Sequence, residues 1–335
     1  MASASDYQVL RHAAALIDRS AERGRLRLSG ADRRRYLQGL LTNDIEALAP
    51  GTGCYAAYLT AQGRMIADMR LFELGEALIV DLDRQVSDLV RDKWDAFIFS
   101  EDVTIEDRSA ALSQLGLYGP LAPQVLAEAL GAAGAQPLLT ADVLEAMPLN
   151  ACDSRTIDGQ DLVVLRSDAA GERGFDILMP VERTDDVAGH LERAGAVRIG
   201  AEAVEARRIE SGRLRFGIDM TAETIPLEAG IEDRAISLTK GCYVGQEVII
   251  RVLHRGHGRV ARRLVGLSLA SNEAPPRGAA ISSGEREVGA VTSAVVSPAL
   301  GHAIALGYVH RDFTAAGTPL TVAGSPATVS VLPFA

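Results

Sequence analysis

The chain reads as an α+β protein that ends in a small all-β domain. Three observations predict this. Helix-like and strand-like stretches follow one another irregularly through residues 1–255, whereas a doubly wound parallel sheet would need regular β-α alternation. After Arg263 no helical periodicity remains, and short apolar runs alternate with Gly and Pro. The 335 residues, 47% hydrophobic and 23% charged, suit roughly two domains of about 150 residues each with real cores.

Val9 to Ile17 predicts a short helix. Arg25-Leu26-Arg27-Leu28 alternates as a half-buried strand, and Ser29-Gly30 breaks it. Asp32 to Leu41 predicts a helix with Tyr36, Leu37, Leu40 and Leu41 on one face and Arg33, Arg34 and Arg35 turned to solvent. Tyr55–Thr60, Met65–Glu73 and Ala77–Asp81 predict three strands joined by hairpin turns at 61–63 and 75–76. Ser87 to Phe97 is a second amphipathic helix. Leu115–Tyr118, Leu162–Arg166 and Phe175–Met179 are short strands. Val187–Ala194 and Ala201–Ser211 are helices, the second capped by Gly212. A boundary is expected at Gly256-His257-Gly258, dividing residues 1–255 from a domain at 256–335. Beyond it, Leu264–Leu269, Ala279–Ser282, Val288–Val295, Ala303–Val309 and Pro319–Val322 predict a β-barrel or sandwich.

Composition excludes several classes. A net charge of −10 argues against direct nucleic-acid binding, which needs clustered Lys and Arg. No apolar run approaches the ~20 residues of a membrane span, and Met1 to Gln8 lacks a secretory pattern, so a cytoplasmic location and no membrane partner are expected. Three widely spaced cysteines, Cys54, Cys152 and Cys242, make neither a disulfide framework nor a four-cysteine metal site, and the histidines form no metal spacing. All but two of the 34 basic residues are Arg; the exceptions are Lys93 and Lys240. A lysine that survives such a bias serves where a compact ammonium works and a planar fork does not.

Three segments carry candidate chemistry. Lys240-Gly241-Cys242-Tyr243-Val244-Gly245-Gln246-Glu247 brackets a cysteine with glycines. At a helix start, with Lys240 beside it, Cys242 would be a nucleophilic thiolate; in a tight loop it would be a buried structural thiol. In Gly171–Met179, Asp176 is the only acid inside an apolar strand, so it is either paired or turned outward; paired, it suits an amidine-like ligand edge. From Arg251 to Arg263 run Arg251, Arg255, Arg259, Arg262 and Arg263 with no acid between them, which is either an anion or partner site or a solvated edge. Asp68, in the second hairpin strand, is a candidate acid or base.

The octapeptide at 240–247 resembles the signature of the folate-binding YgfZ family, a group related to the T-protein (aminomethyltransferase) of the glycine cleavage system. Further blocks resemble both groups in the same order: Leu37–Asp44, Tyr55, Gly63–Asp68, Gly171–Asp176, Arg208–Gly212, Ile225–Ala229 and Ser297–Gly301. The resemblance implies a three-lobed ring in which two α+β subdomains bind folate and a β-barrel forms the third lobe. It implies tetrahydrofolate or a one-carbon derivative as cofactor. It places Asp176 at the carboxylate that anchors the pterin edge, with Glu172 as second choice. Tyr55 and Asp68 would line the pterin site, and Arg208 would reach toward the benzoyl-glutamate part. Cys242, with Lys240, would separate YgfZ-type proteins from true T-proteins.

The chain also departs from the T-protein pattern: paired aspartates are replaced by Ala67-Asp68, and a tyrosine by Ala169. The reading expected first is therefore a YgfZ-type protein that supports assembly or repair of iron–sulfur clusters, including those of some tRNA-modifying enzymes. Iron–sulfur enzymes or cluster carriers would be its partners. The alternatives are a folate-dependent aminomethyltransferase with Asp68 as acid/base, and a non-catalytic adaptor that docks through Arg251–Arg263.

Overall fold

The computed structural model describes residues 4–254 and 258–335. In chain order, α1 (Ala4–His12) leads to β1 (Ala15–Asp18), β2 (Arg23–Ser29) and α2 (Arg33–Leu40). Next come β3 (Gly53–Leu59), β4 (Met65–Glu73), β5 (Ala77–Asp83), α3 (Arg84–Asp95), β6 (Thr104–Asp107) and β7 (Leu112–Tyr118). Helices α4 (Ala122–Ala132) and α5 (Ala141–Ala146) precede β8 (Cys152–Ile157), β9 (Gln160–Ser167) and β10 (Gly174–Pro180). The middle of the chain holds α6 (Thr184–Arg193), β11 (Val197–Arg198), α7 (Ala201–Glu210), two one-turn helices α8 (Pro226–Ala229) and α9 (Glu232–Ala235), and α10 (Gln246–His254). The barrel strands are β12 (Arg262–Leu269), β13 (Ala280–Ser283), β14 (Arg286–Val296), β15 (Ala303–His310), β16 (Pro319–Val322) and β17 (Ser325–Ser330).

These elements form three lobes. In the first, an antiparallel sheet of order β3-β4-β5-β2-β6 carries α2 and α3 over a core that includes Leu26, Leu37, Met69, Val80 and Trp94. The second is a six-stranded sheet, β11-β1-β7-β10-β9-β8, packed under α4 and α6 around Leu117, Leu126, Phe175 and Leu191. The third is a closed barrel, β12-β15-β14-β13-β16-β17. Closure leaves no sheet edge to guard, which suits strands this short.

The chain threads these lobes out of sequence order. Strand β1 pairs antiparallel with β7 through Ala15↔Tyr118 to Asp18↔Leu115 and parallel with β11, so the second lobe is begun before the first is built. The helix expected over Val9–Ile17 accordingly stops at His12, and Ala15–Asp18 is a sheet strand. Tertiary pairing with a partner a hundred residues away overrides local propensity there. The expected arginine face of α2 holds for Arg35, which is exposed, and needs correction for the other two. Arg33 donates to the buried carboxylate of Glu73 at 2.8 Å, and Arg34 to the Leu48 carbonyl at 2.8 Å. Helix α4 and strands β8 and β17 fall in stretches where the sequence predicts nothing; α4 has no side-chain cap to announce it. The expected boundary at Gly256-His257-Gly258 lies mostly outside the described residues, only Gly258 being described. Barrel pairing begins at Arg262.

Candidate functional site

A cavity of about 1160 Å³ lies where the three lobes meet. The first lobe supplies Tyr55, Asp68 and Arg70; the second supplies Arg19, Tyr118 and Asp168; the barrel contributes Leu264, Val265 and Val295. Eight arginines line it against five acids. Behind that lining Asp176, Asp81, Asp219 and Glu232 pair with Arg19, Arg23, Arg208 and Arg263, so the wall offers guanidinium donors without a net positive charge.

Two side-chain arrangements define its inner wall. In the first, Tyr55 and Arg70 face each other across β3 and β4, and Asp68 lies two residues before Arg70 on the same face. The Tyr55 hydroxyl donates to Asp68 Oδ2 at 2.6 Å, and the Arg234 guanidinium stacks over the Tyr55 ring at 5.3 Å. Burial raises the Asp68 carboxyl above the ordinary aspartate value, opposed by the Tyr55 hydrogen bond and by Arg23 and Arg70. Burial and the neighbouring Asp68 both drive the Tyr55 hydroxyl upward, so it stays protonated. The pair can hold and exchange a proton at the cavity wall.

The second arrangement surrounds Asp176. This residue is 0% exposed, which decides between the two expectations for it: it is paired. Arg19 Nη1 donates to Oδ1 at 2.9 Å, Arg70 Nη1 to Oδ2 at 3.3 Å, and the Tyr118 hydroxyl to Oδ1 at 2.7 Å. Asp176 sits opposite Gly116 in β7, where a Cβ would meet the Tyr118 ring at 2.5 Å. Only glycine leaves room for the ring. Burial alone would raise the Asp176 carboxyl, but Arg19 and Arg70 overcome this and hold it well below the usual range. Sequence reasoning missed both arginines. The signal for Arg70 was an arginine inside an apolar strand; Arg19 was hidden by the helix expected just before it.

Other expected site residues lie elsewhere. Asp176 and Glu172 do not line the cavity. Glu172 instead joins Arg11 and Arg207, the latter at 2.7 Å, at the packing of α1 on α7. Arg208 does line the cavity, but its guanidinium is taken by Glu205, by Asp219 at 2.7 Å and by Ser293 at 2.8 Å. It clamps α7 to the barrel rather than reaching for a ligand.

The cysteine motif is separate from the cavity. Cys242 is exposed, absent from the cavity lining, and four residues short of the α10 start, so no helix dipole acts on it. Lys240 does not activate it. Its Nζ donates to the carbonyls of Gln38, Leu41 and Asn43 at 2.7, 2.6 and 2.8 Å, closing the C-terminal end of α2. Burial draws this ammonium down to about 8, with Asp44 pulling the other way. Three carbonyls around one nitrogen match the three protons of an ammonium and not a planar guanidinium, which is the reason a lysine persists here. Lys240→Arg is expected to lower unfolding stability by about 1–3 kcal/mol through unpaired carbonyls, read as a reduced urea midpoint. An unchanged midpoint would show that the carbonyls find other donors.

The rest of the motif is packing. Tyr243 is buried among Met65, Leu227 and Ile249, and its ring lies 5.2 Å from the Lys240 ammonium. Gly245 has φ +84°, and a Cβ there would meet the Thr60 carbonyl at 2.5 Å, so its turn interlocks with the β3–β4 hairpin at Gly63. Gly241 and Glu247 are exposed, and Gln246 opens α10. The basic run is partly neutralised in space: Arg262 pairs with Glu228 and Arg263 with Glu232. Arg251 and Arg259 are exposed, and Arg255 lies outside the described residues. The run is not one edge strand: Arg251 is on α10, and Arg262 and Arg263 open β12.

Comparison with known proteins agrees with this architecture. The family description "GCVT N-terminal domain" matches residues 1–240, and "Glycine cleavage T-protein C-terminal barrel domain" matches 262–335. The chain belongs to the glycine cleavage T-protein family. It is 31% identical to the aminomethyltransferase of Nostoc sp., spanning 98% of this chain and 86% of that protein. The aminomethyltransferase of Thermosynechococcus vestitus is 30% identical, over 95% and 82%. The crystal structure of glycine cleavage system aminomethyltransferase T from Bartonella henselae superposes with a TM-score of 0.87 at 22% identity, covering 99% of this chain and 89% of that one. That likeness establishes the T-protein fold, with its two sheet-bearing lobes and closed barrel. Curated relatives of this T-protein family member carry the aminomethyltransferase name, so the expected YgfZ assignment narrows to the broader family.

Proposed function

We propose that the protein binds tetrahydrofolate in the central cavity and transfers a one-carbon unit to it, in the manner of an aminomethyltransferase. The half-buried Tyr55–Asp68 pair facing a large cavity between three lobes carries this reading. The residues present suit such a ligand. The volume is ample for a molecule of drug size, the wall mixes apolar and charged groups, and its guanidinium donors complement a tail bearing carboxylates. Tetrahydrofolate, when bound, supplies the nitrogens that accept the one-carbon unit. Tyr55 holds Asp68 by Oδ2, which leaves Oδ1 to take and return a proton. Because burial raises this carboxyl, it can carry the proton at a pH where a solvated aspartate has lost it.

The test is direct. The protein, an aminomethyl-loaded lipoyl carrier and tetrahydrofolate are mixed, and methylene-tetrahydrofolate and ammonia are measured. Formation of both products supports the reading; bound folate without product rejects the transfer.

One observation favours a second role. Cys242 is presented to solvent on a loop pinned by Lys240 and Gly245, away from the cavity. That placement suits a thiol offered to a protein partner, as in YgfZ-type support of iron–sulfur enzymes and tRNA modification. Cys242→Ser is then expected to leave tetrahydrofolate affinity within about threefold, under ~1 kcal/mol, yet fail to restore iron–sulfur enzyme activity in a deletion strain. Restoration by the serine variant would remove Cys242 from this role.

A further inference from the structure

The arginines around Asp176 are only half used. Arg19 spends Nη1 on Tyr118 and Asp176, and Arg70 spends Nη1 on Ser167 and Asp176. The Nε and Nη2 groups of both have no hydrogen-bond partner among the described residues, and they are not among the buried unpaired atoms. Both side chains line the cavity and keep 13% and 14% exposure, while Asp176 behind them keeps 1%. The inner wall therefore shows the cavity donors rather than a carboxylate. Asp81, opposite Arg70 in β5 and bonded to Arg23, also acts on both guanidiniums, so it is the free donors and not a net charge that call for an acceptor.

We infer that Arg19 and Arg70 form an acceptor-reading subsite, which binds an oxygen of the ligand with Asp176 as the positioning residue that holds the two guanidiniums in place. This deepens the folate reading and rests on it. It also reverses the role expected of Asp176, whose oxygens are already occupied and cannot receive an amidine edge. Guanidinium groups are donors only. A ligand oxygen placed there gains charge-assisted hydrogen bonds, whereas a ligand amino group meets two donors and leaves groups unpaired. On tetrahydrofolate, the shared chemistry has two sources: the 4-oxo group of the ring and the carboxylates of the glutamate tail.

Calorimetric titration of the intact protein separates these sources. The probes are tetrahydrofolate, its 4-amino-4-deoxy analogue, which lacks the ring oxygen, and tetrahydropteroate, which lacks the tail. One analogue is expected to bind on the order of 10- to 100-fold more weakly than tetrahydrofolate, and which one it is names the oxygen. In Arg70→Met or Arg19→Met that gap is expected to close to within about threefold, because the variant has lost the donors that made the distinction. Both analogues binding as tightly as tetrahydrofolate would overturn the subsite while leaving the folate reading intact. A gap that persists in full in both variants would overturn it equally. No binding of any of the three would reject subsite and folate reading together. The wild-type titrations decide the matter even where a variant does not fold.

Discussion

Asp68→Asn is expected to slow one-carbon transfer by about 10²–10⁴-fold, the range for losing a positioned general acid or base. Tetrahydrofolate affinity should stay within about threefold, since Asn keeps an oxygen for the Tyr55 hydroxyl and fills the same space. The variant should also be no less stable than the parent. Burial raises the Asp68 carboxyl in the fold, so the folded protein holds this proton more tightly than the unfolded chain. Stability from this group is present below the unfolded value of about 3.9 and is lost as pH rises through the higher folded value. An amide removes that loss. A thermal melt at neutral pH should therefore show an equal or higher midpoint together with the rate defect. A variant that turns over at the parental rate would take Asp68 out of the chemistry.

Asp176→Asn is expected to do the opposite. The carboxylate sits between two buried guanidiniums, and an amide cannot neutralise either. Breaking a buried ion pair by removing one partner typically costs about 3–5 kcal/mol, so the variant should show a much reduced midpoint or fail to accumulate. The pH signature is also of opposite sign. Arg19 and Arg70 hold this carboxyl below its ordinary value, so its contribution is present above the unfolded value of about 3.9 and is lost as pH falls toward the lower folded value. The parent should lose stability on acidification through that window, and the variant should lose less. Asp176→Asn with parental stability would show that the two arginines are balanced from elsewhere.

Much of the fold could be read along the chain. Hairpin strands β3 to β5, helices α6 and α7 and five of the six barrel strands follow from local periodicity, because each buries one face of a regular element. The candidate site was readable only in part. Asp68 and Tyr55 lie 13 positions apart on adjacent strands, close enough for the hairpin to imply their meeting. Arg19 and Asp176 are 157 positions apart, and Arg70 and Asp176 are 106 apart. Arg19 reaches Asp176 because β1 joins the second sheet, and Arg70 reaches it from β4 across the contact of the first two lobes; no local pattern encodes either. Lys240 is the instructive case. Its rarity in an arginine-rich chain pointed to a special task, yet the three carbonyls it serves lie 197 to 202 positions away. Proximity in sequence to Cys242 suggested thiol activation, and the fold assigns it a helix end instead.

The interlock at Gly63 and Gly245 bears on how the octapeptide is to be used as a diagnostic. Lys240, Tyr243 and Gly245 each answer a packing demand: a helix end, a core position, a turn pressed on a hairpin. Within this chain those demands hold whatever stands at position 242. These three positions of the octapeptide therefore report on packing and not on chemistry at the thiol. What is left to chemistry is Cys242 on this loop and, at the cavity, Asp68.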